Sequence, residues 1–180
     1  RSGSTLIESL ISSGEIKVRT YGECNYFNMA IFDQIKNKVF TKEFTTNKSA
    51  IDIDLNSIEV SIEDRYDINN KQENNLLFLD KSLENFFNIE IIYKNFPKAK
   101  FLHTFRNPLD SVISIYQSML PDLSWAHSIE NILLYLDTYN NVIKHFKAKY
   151  PNLILDINLE DLAENSEKIS KQIFNFCELT

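Results

Sequence analysis

Four short stretches of this sequence carry residue types that can do chemistry. The first is Arg1-Ser2-Gly3-Ser4-Thr5, directly ahead of an apolar run with Leu6, Ile7, Leu10 and Ile11 on one helical face. Small polar residues and a glycine at a helix entrance leave backbone N–H groups able to meet an anion, and Arg1, Ser2, Ser4 and Thr5 add charge and hydroxyl donors. The same residues also make an ordinary helix cap. The second stretch runs from Phe105 to Ser114 and reads Phe-Arg-Asn-Pro-Leu-Asp-Ser-Val-Ile-Ser. Arg106 suits two-pronged phosphate recognition, and Ser114 lies two turns into the helix that Pro108 starts. Taken alone, the spacing favours an Arg106–Asp110 pair. The third is Asp80-Lys81-Ser82-Leu83-Glu84-Asn85-Phe86, where Lys81 is either a surface lysine or a point charge beside a reacting group. The fourth is Gly22-Glu23, a carboxylate after a glycine turn, either solvated or a general base.

The surrounding pattern says what holds these stretches. Ile16 to Tyr21 alternates as a strand and ends at Gly22. Asn28 to Lys36 reads as a helix, residues 40–57 as mostly connection, and 58–72 as a polar helix. Leu76-Leu77-Phe78-Leu79 is a continuous apolar run, expected of a strand buried on both faces. Phe86 to Phe96 reads as a helix ended by Pro97, and Lys100 to Phe105 as a strand. The helix from Pro108 is expected to reach about Met119. Ile129, Ile132, Leu136, Tyr139, Ile143, Phe146 and Tyr150 form one sustained helical stripe, closed by Pro151. Leu153 to Ile157 is a strand. A closing helix spans 166–178, with Ile169, Ile173, Phe174 and Cys177 inward. Strands alternating with helices imply an α/β fold with a parallel sheet covered on both faces, and ligands in such sheets sit at the strands' carboxyl ends. The Arg1–Thr5 loop has no strand before it, so the first strand is expected to be lost, with the C-terminus truncated too.

Composition narrows the classes. The 180 residues carry 19 Lys+Arg against 25 Asp+Glu, a formal net charge of -6, which speaks against bulk nucleic-acid binding. An anionic ligand must therefore be met by a local cluster of cations. No apolar run approaches the roughly 18 residues of a membrane span. Two cysteines, Cys24 and Cys177, exclude a disulfide framework and a four-cysteine zinc site. No metal-ligand cluster is visible. The length favours one domain, 1–180. All three glycines lie among the first 22 residues. The P-loop pattern G-x-x-x-x-G-K-[ST] is not met, since Ser4 stands where its lysine would follow the last glycine, and this argues against a nucleotide kinase or an ATP or GTP hydrolase.

Together the stretches resemble the sulfotransferase family. Arg1-Ser2-Gly3-Ser4-Thr5-Leu6 resembles its 5′-phosphosulfate loop, P-R-S-G-T-[ST]-L. Arg106 and Ser114, in R-N-P-L-D-S-V-I-S, resemble its 3′-phosphate site, offset included. Gly22-Glu23 is similar to the G-E of protein-tyrosine sulfotransferases and of bacterial sulfotransferases associated with tetratricopeptide repeats. Asp80-Lys81 with Asn85-Phe86 resembles the D-K-x-P-x-N-F of that bacterial group. Phe96 to Phe101 and Leu159-Glu160-Asp161-Leu162 also resemble it. The likeness runs from Arg1 to Leu179, with residues 37–74 too variable to use.

The resemblance implies a P-loop-like three-layer fold, a central parallel sheet flanked by helices. It implies 3′-phosphoadenosine 5′-phosphosulfate (PAPS) as co-substrate, no metal, and a hydroxyl-bearing acceptor: tyrosyl peptide, saccharide or small alcohol. Arg1, Ser2, Gly3, Ser4 and Thr5 would bind the 5′-phosphosulfate, and Arg106 and Ser114 the 3′-phosphate. Glu23 would be the base, and Lys81 would stand beside the bridging oxygen. A cytoplasmic bacterial setting follows from the repeat-associated group, a Golgi lumen from the protein-tyrosine group, and a repeat region in the parent chain is implied by the former. The sequence departs from the pattern in two places. The D-K-x-P proline is Leu83, and the Y-E-D-L tyrosine is Leu159. The cytosolic group's histidine base has no clear counterpart: His103 falls inside a strand, His127 in a loop and His145 on a helix. The alternative function is a non-catalytic nucleotide-binding or partner-docking module on the same scaffold.

Overall fold

The computed structural model describes residues 3–40, 54–67 and 77–179. Arg1, Ser2 and Leu76 lie outside the described residues, as do most of the 40–57 connection and the end of the 58–72 helix. Helices and short strands alternate along the chain, an α/β composition. The chain divides into two compact units, one of Arg1–Val18 with Ala99–Thr180 and the other Arg19–Lys98.

In the first unit, α1 (Ser4–Ser12) buries Ile7 and Ile11, the inward positions of its apolar run. Strands β3 (Phe101–Phe105) and β4 (Ile154–Asn158) pair in parallel, Phe101 opposite Ile154 through Phe105 opposite Asn158. Between them lie α5 (Pro108–Gln117) and α6 (Ile129–Lys149). Ile115 of α5 and Ile132 of α6 meet Ala126 of the 3₁₀ turn Ser124–His127 in one buried cluster. The α6 stripe faces inward from Ile132 through Ile143 and Phe146, but its first member, Ile129, is exposed. A short α7 (Leu159–Glu164) follows β4 and precedes α8 (Ser166–Phe176), which buries Ile173.

Local chemistry sets these starts. Asn107 accepts a hydrogen bond from the Leu109 amide with Pro108 in the first helical position. Ser128 accepts from the Asn131 amide, and Asn158 from those of Glu160 and Asp161.

In the second unit, β1 (Val18–Thr20) runs alongside β2 (Leu77–Leu79), with α2 (Tyr26–Phe40), α3 (Leu55–Arg65) and α4 (Ile89–Asn95) around them. Its centre is aromatic. Tyr66, fully buried after α3, stacks on Phe78 with centroids 4.4 Å apart and meets Tyr21, Tyr26 and Phe96 edge-on.

Among the described residues the strands pair as β1 with β2 and as β3 with β4. Other expectations need correction. β2 is not buried on both faces, since Leu77 is exposed while Phe78 packs on Tyr66. An apolar run is equally compatible with one covered face, so its composition does not report burial. The helix expected over Phe86–Phe96 is a 3₁₀ turn, Leu83–Phe87, followed by α4. The break falls at Asn88, whose buried amide donates to Asn28 Oδ1 at 2.6 Å. That tie to α2 outweighs helical continuity, and asparagine is a weak helix former. α3 begins earlier than expected, at Leu55, where Asp54 caps it through the Asn56 amide. Among the described residues no helix is long and apolar enough to cross a membrane.

Candidate active site

The catalytic candidates meet in the second unit because two strand ends are laced together. Beyond β1 the Tyr21 amide donates to the Leu79 carbonyl at 2.9 Å, and the Lys81 amide donates to Gly22 at 2.9 Å. Gly22 has φ +61, a left-handed conformation that glycine adopts without strain, and it turns the chain straight into Glu23. Lys81 Nζ lies 3.5 Å from Glu23 Oε1. The lysine side chain is 18% exposed and the glutamate 63%, so the carboxylate reaches solvent while the ammonium is held against the protein. A pair with one partner this exposed contributes only about 0–1 kcal/mol and opens readily.

Asp80 is tied down on both oxygens. Oδ2 accepts from the Tyr66 hydroxyl at 2.5 Å, and Oδ1 accepts from the Ser82 amide at 2.7 Å and its hydroxyl at 2.5 Å. Ser82 Oγ in turn accepts from the Asn25 amide at 2.7 Å, linking the Gly22–Asn25 turn to the Asp80–Ser82 turn. Burial and then the Asp80 carboxylate push the Tyr66 phenol well above its ordinary value. Cys24 Sγ sits 4.0 Å from both the Tyr66 and Ser82 hydroxyls, and burial raises its thiol too.

The anion-binding candidates belong to the first unit. Gly3 is the N-cap of α1 at φ +79, and its carbonyl accepts from the amides of Leu6 at 2.9 Å and Ile7 at 3.2 Å. Gly3 itself brings no side chain to cap this turn. A Cβ on Gly3 would stand 2.7 Å from both Leu159 methyls, so the residue in the Y-E-D-L tyrosine position packs on the glycine of the loop. Ser4 and Thr5 are the first two residues of α1.

Arg106 leaves β3 and donates from Nη2 to the backbone carbonyl of Asp110 at 2.7 Å. Its bond is to that carbonyl and not to the Asp110 carboxylate, so the pairing favoured by spacing alone is not the one formed. Arg106 Nε is buried without a hydrogen-bond partner. A buried guanidinium N–H left unpaired costs about 1–3 kcal/mol, and an anionic oxygen is the natural group to satisfy it, so this residue fits a phosphate. Ser114, half-buried on α5, gives its carbonyl to the Ser118 hydroxyl at 2.5 Å.

Sequence reasoning assigned no role to Glu160, which holds the Arg106 loop. Its Oε1 accepts from the Asn107 amide at 3.0 Å. The signal was the Leu159-Glu160-Asp161-Leu162 stretch, visible as a motif but not as a contact. Nor was Tyr66 foreseen, since nothing in the polar run around it marks a buried phenol.

The histidines make their own arrangements. His103 Nδ1 lies 2.6 Å from Asp156 Oδ1, which Lys147 Nζ approaches to 2.5 Å, and His103 Nε2 is buried without a partner. Burial holds the imidazole below its ordinary value, against the opposing pull of Asp156. His127 Nε2 lies 2.8 Å from the Leu120 carbonyl, and His145 is exposed on α6.

Residues 1–180 match the model of the Sulfotransferase family from end to end. Over 105 residues the chain is 29% identical to an uncharacterized protein of Aquifex aeolicus (strain VF5). That match covers 56% of this chain and 14% of the relative, so the chain spans only a small part of the relative's length.

Proposed function

Because the chain belongs to the sulfotransferase family, we propose that it moves a sulfuryl group from PAPS to a hydroxyl acceptor, with Glu23 as base. The observation that carries the reading is the Glu23–Lys81 pair, a solvent-reaching carboxylate and a sheltered ammonium 3.5 Å apart. The proposed scaffold is the family's P-loop-like three-layer α/β fold, with residues 1–180 as one sulfotransferase domain. The cytoplasmic setting and a repeat region in the parent chain rest on the likeness to the repeat-associated bacterial group.

When bound, PAPS supplies the sulfuryl group and a phosphate leaving group. Glu23 accepts the acceptor hydroxyl's proton as that oxygen bonds to sulfur and the bond from sulfur to the bridging oxygen breaks. Lys81 offsets the charge that develops on the bridging oxygen. Arg1 to Thr5 hold the 5′-phosphosulfate at the N-terminus of α1. Arg106, through its unpartnered Nε, and Ser114 hold the 3′-phosphate.

Calorimetric titration with PAPS, adenosine 5′-phosphosulfate and ATP tests the donor. Wild type should prefer PAPS. Arg106→Ala should lose about ten- to hundredfold in PAPS affinity, the worth of a charge-assisted bond, and far less for adenosine 5′-phosphosulfate. Arg1→Ala should weaken both alike. Equal loss of both ligands in Arg106→Ala would refute the 3′-phosphate assignment. Transfer from PAPS to a tyrosyl peptide, a saccharide and a small alcohol then reads the acceptor class, and binding without transfer to any of them would favour a non-catalytic module.

A further inference from the structure

The Glu23–Lys81 pair needs its two turns held in step, and the residue that does so follows α3, far from both in sequence. Tyr66 is fully buried and follows the last turn of α3. Its hydroxyl donates to Asp80 at 2.5 Å, on the strand end just before Lys81. Its backbone carbonyl accepts from the Tyr21 hydroxyl at 2.5 Å, on the strand end just before Gly22 and Glu23. One residue therefore grips both strand ends, by its side chain on one and its main chain on the other. Asp80 passes the grip on through Ser82, whose hydroxyl takes the Asn25 amide beyond Glu23.

We propose that Tyr66 is a positioning residue for the Glu23–Lys81 pair, acting through Asp80 and Ser82. This rests on the catalytic reading of that pair. A hydroxyl on a ring already fixed by four aromatic neighbours adds little to packing, because Phe78, Tyr21, Tyr26 and Phe96 would hold a phenylalanine equally. What the hydroxyl adds is direction. It fills one Asp80 oxygen, so the other stays with Ser82 and the turn that presents Lys81 keeps one geometry. Small displacements of reacting groups cost rate steeply, up to about a hundredfold per ångström.

The test is Tyr66→Phe in the full-length protein, with two readouts. Hydrogen exchange of the Lys81 and Asn25 amides reads the two turns without any substrate. Both should exchange about tenfold faster, while amides of α2 and α4 keep their rates. Sulfuryl transfer from PAPS to whichever of the tyrosyl peptide, saccharide or alcohol wild type uses should lose about tenfold in kcat with KM for PAPS unchanged. Unaltered exchange at Lys81 and Asn25 would overturn the proposal, as would uniformly faster exchange throughout the unit, which marks Tyr66 as a general stabiliser. Faster local exchange in a protein whose wild type transfers nothing would uphold the brace and refute the catalytic reading instead. A Ser82→Ala variant should reproduce the exchange change at Asn25, and Ser82→Thr, which keeps the hydroxyl, should restore it.

Discussion

Replacing Gly3 by alanine tests the entrance to α1, and its cost can be worked from two separate causes. The backbone there has φ +79, where a side chain costs about 1–2 kcal/mol. The new methyl would also stand 2.7 Å from both Leu159 Cδ atoms and 3.3 Å from Cγ. Overpacking of this kind costs about 1–3 kcal/mol, and the lower end applies because a leucine tip can turn aside. Gly3→Ala should therefore destabilise by about 2–3 kcal/mol, or roughly 4–12 °C in melting temperature for a chain of this size. The two causes separate in a double-mutant cycle. Leu159→Ala removes the atoms that clash, so in its background Gly3→Ala should cost only the backbone share, about 1–2 kcal/mol. Urea denaturation of wild type, both single variants and the double variant measures all four corners. Additive single costs, with a coupling below about 0.3 kcal/mol, would refute the contact between the loop glycine and Leu159.

Other outcomes follow from the same geometry. Glu23→Gln keeps the shape and removes the proton acceptor, so single-turnover transfer should fall about 10²- to 10⁴-fold while PAPS binding by calorimetry stays near wild type. Burial depresses the His103 imidazole below 6.5, so the unfolded chain takes up this proton before the fold does. Its contribution is complete above pH 6.5 and is lost as pH falls toward the folded value. Melting temperature should drop from pH 7 to pH 5, and His103→Gln, facing the same Asp156, Lys147 and Tyr139, should flatten that slope. Burial pushes the Cys177 thiol up to about 11, so alkylation at pH 8 should be much slower in the folded protein than in the unfolded one.

What the sequence could disclose was periodicity and local punctuation. The α6 stripe, the Pro108 start and the closing helix were legible because a repeating apolar position or a proline forces them. The Glu23 and Lys81 stretches were legible as residue types after strands. Their meeting was not, because it depends on β1 and β2 lying side by side from distant parts of the chain. Tyr66 had no local signal, since a phenol's burial is decided by Phe78 and Phe96 rather than by its neighbours in sequence. Asn88 looked like a helix interior, and only the partner Asn28 explains the break. The spacing of Arg106 and Asp110 suggested an ion pair, and the guanidinium took the main-chain carbonyl instead.

The pairing of β3 with β4 also bears on which changes of chain length this protein can absorb. Partners in that ladder are always 53 positions apart, and the interval persists beyond the strands, from His103–Asp156 to Asn107–Glu160. A deletion of one residue inside 154–160 would shorten that interval by one for everything after it. Alternate side chains would then swap faces, and Glu160 would part from Asn107. The same deletion outside both strands leaves each ladder partner free to find its old neighbour. Length variation among natural versions of this chain should accordingly spare the two strand ends, where a single lost codon would disconnect the Arg106 loop from the acid that holds it.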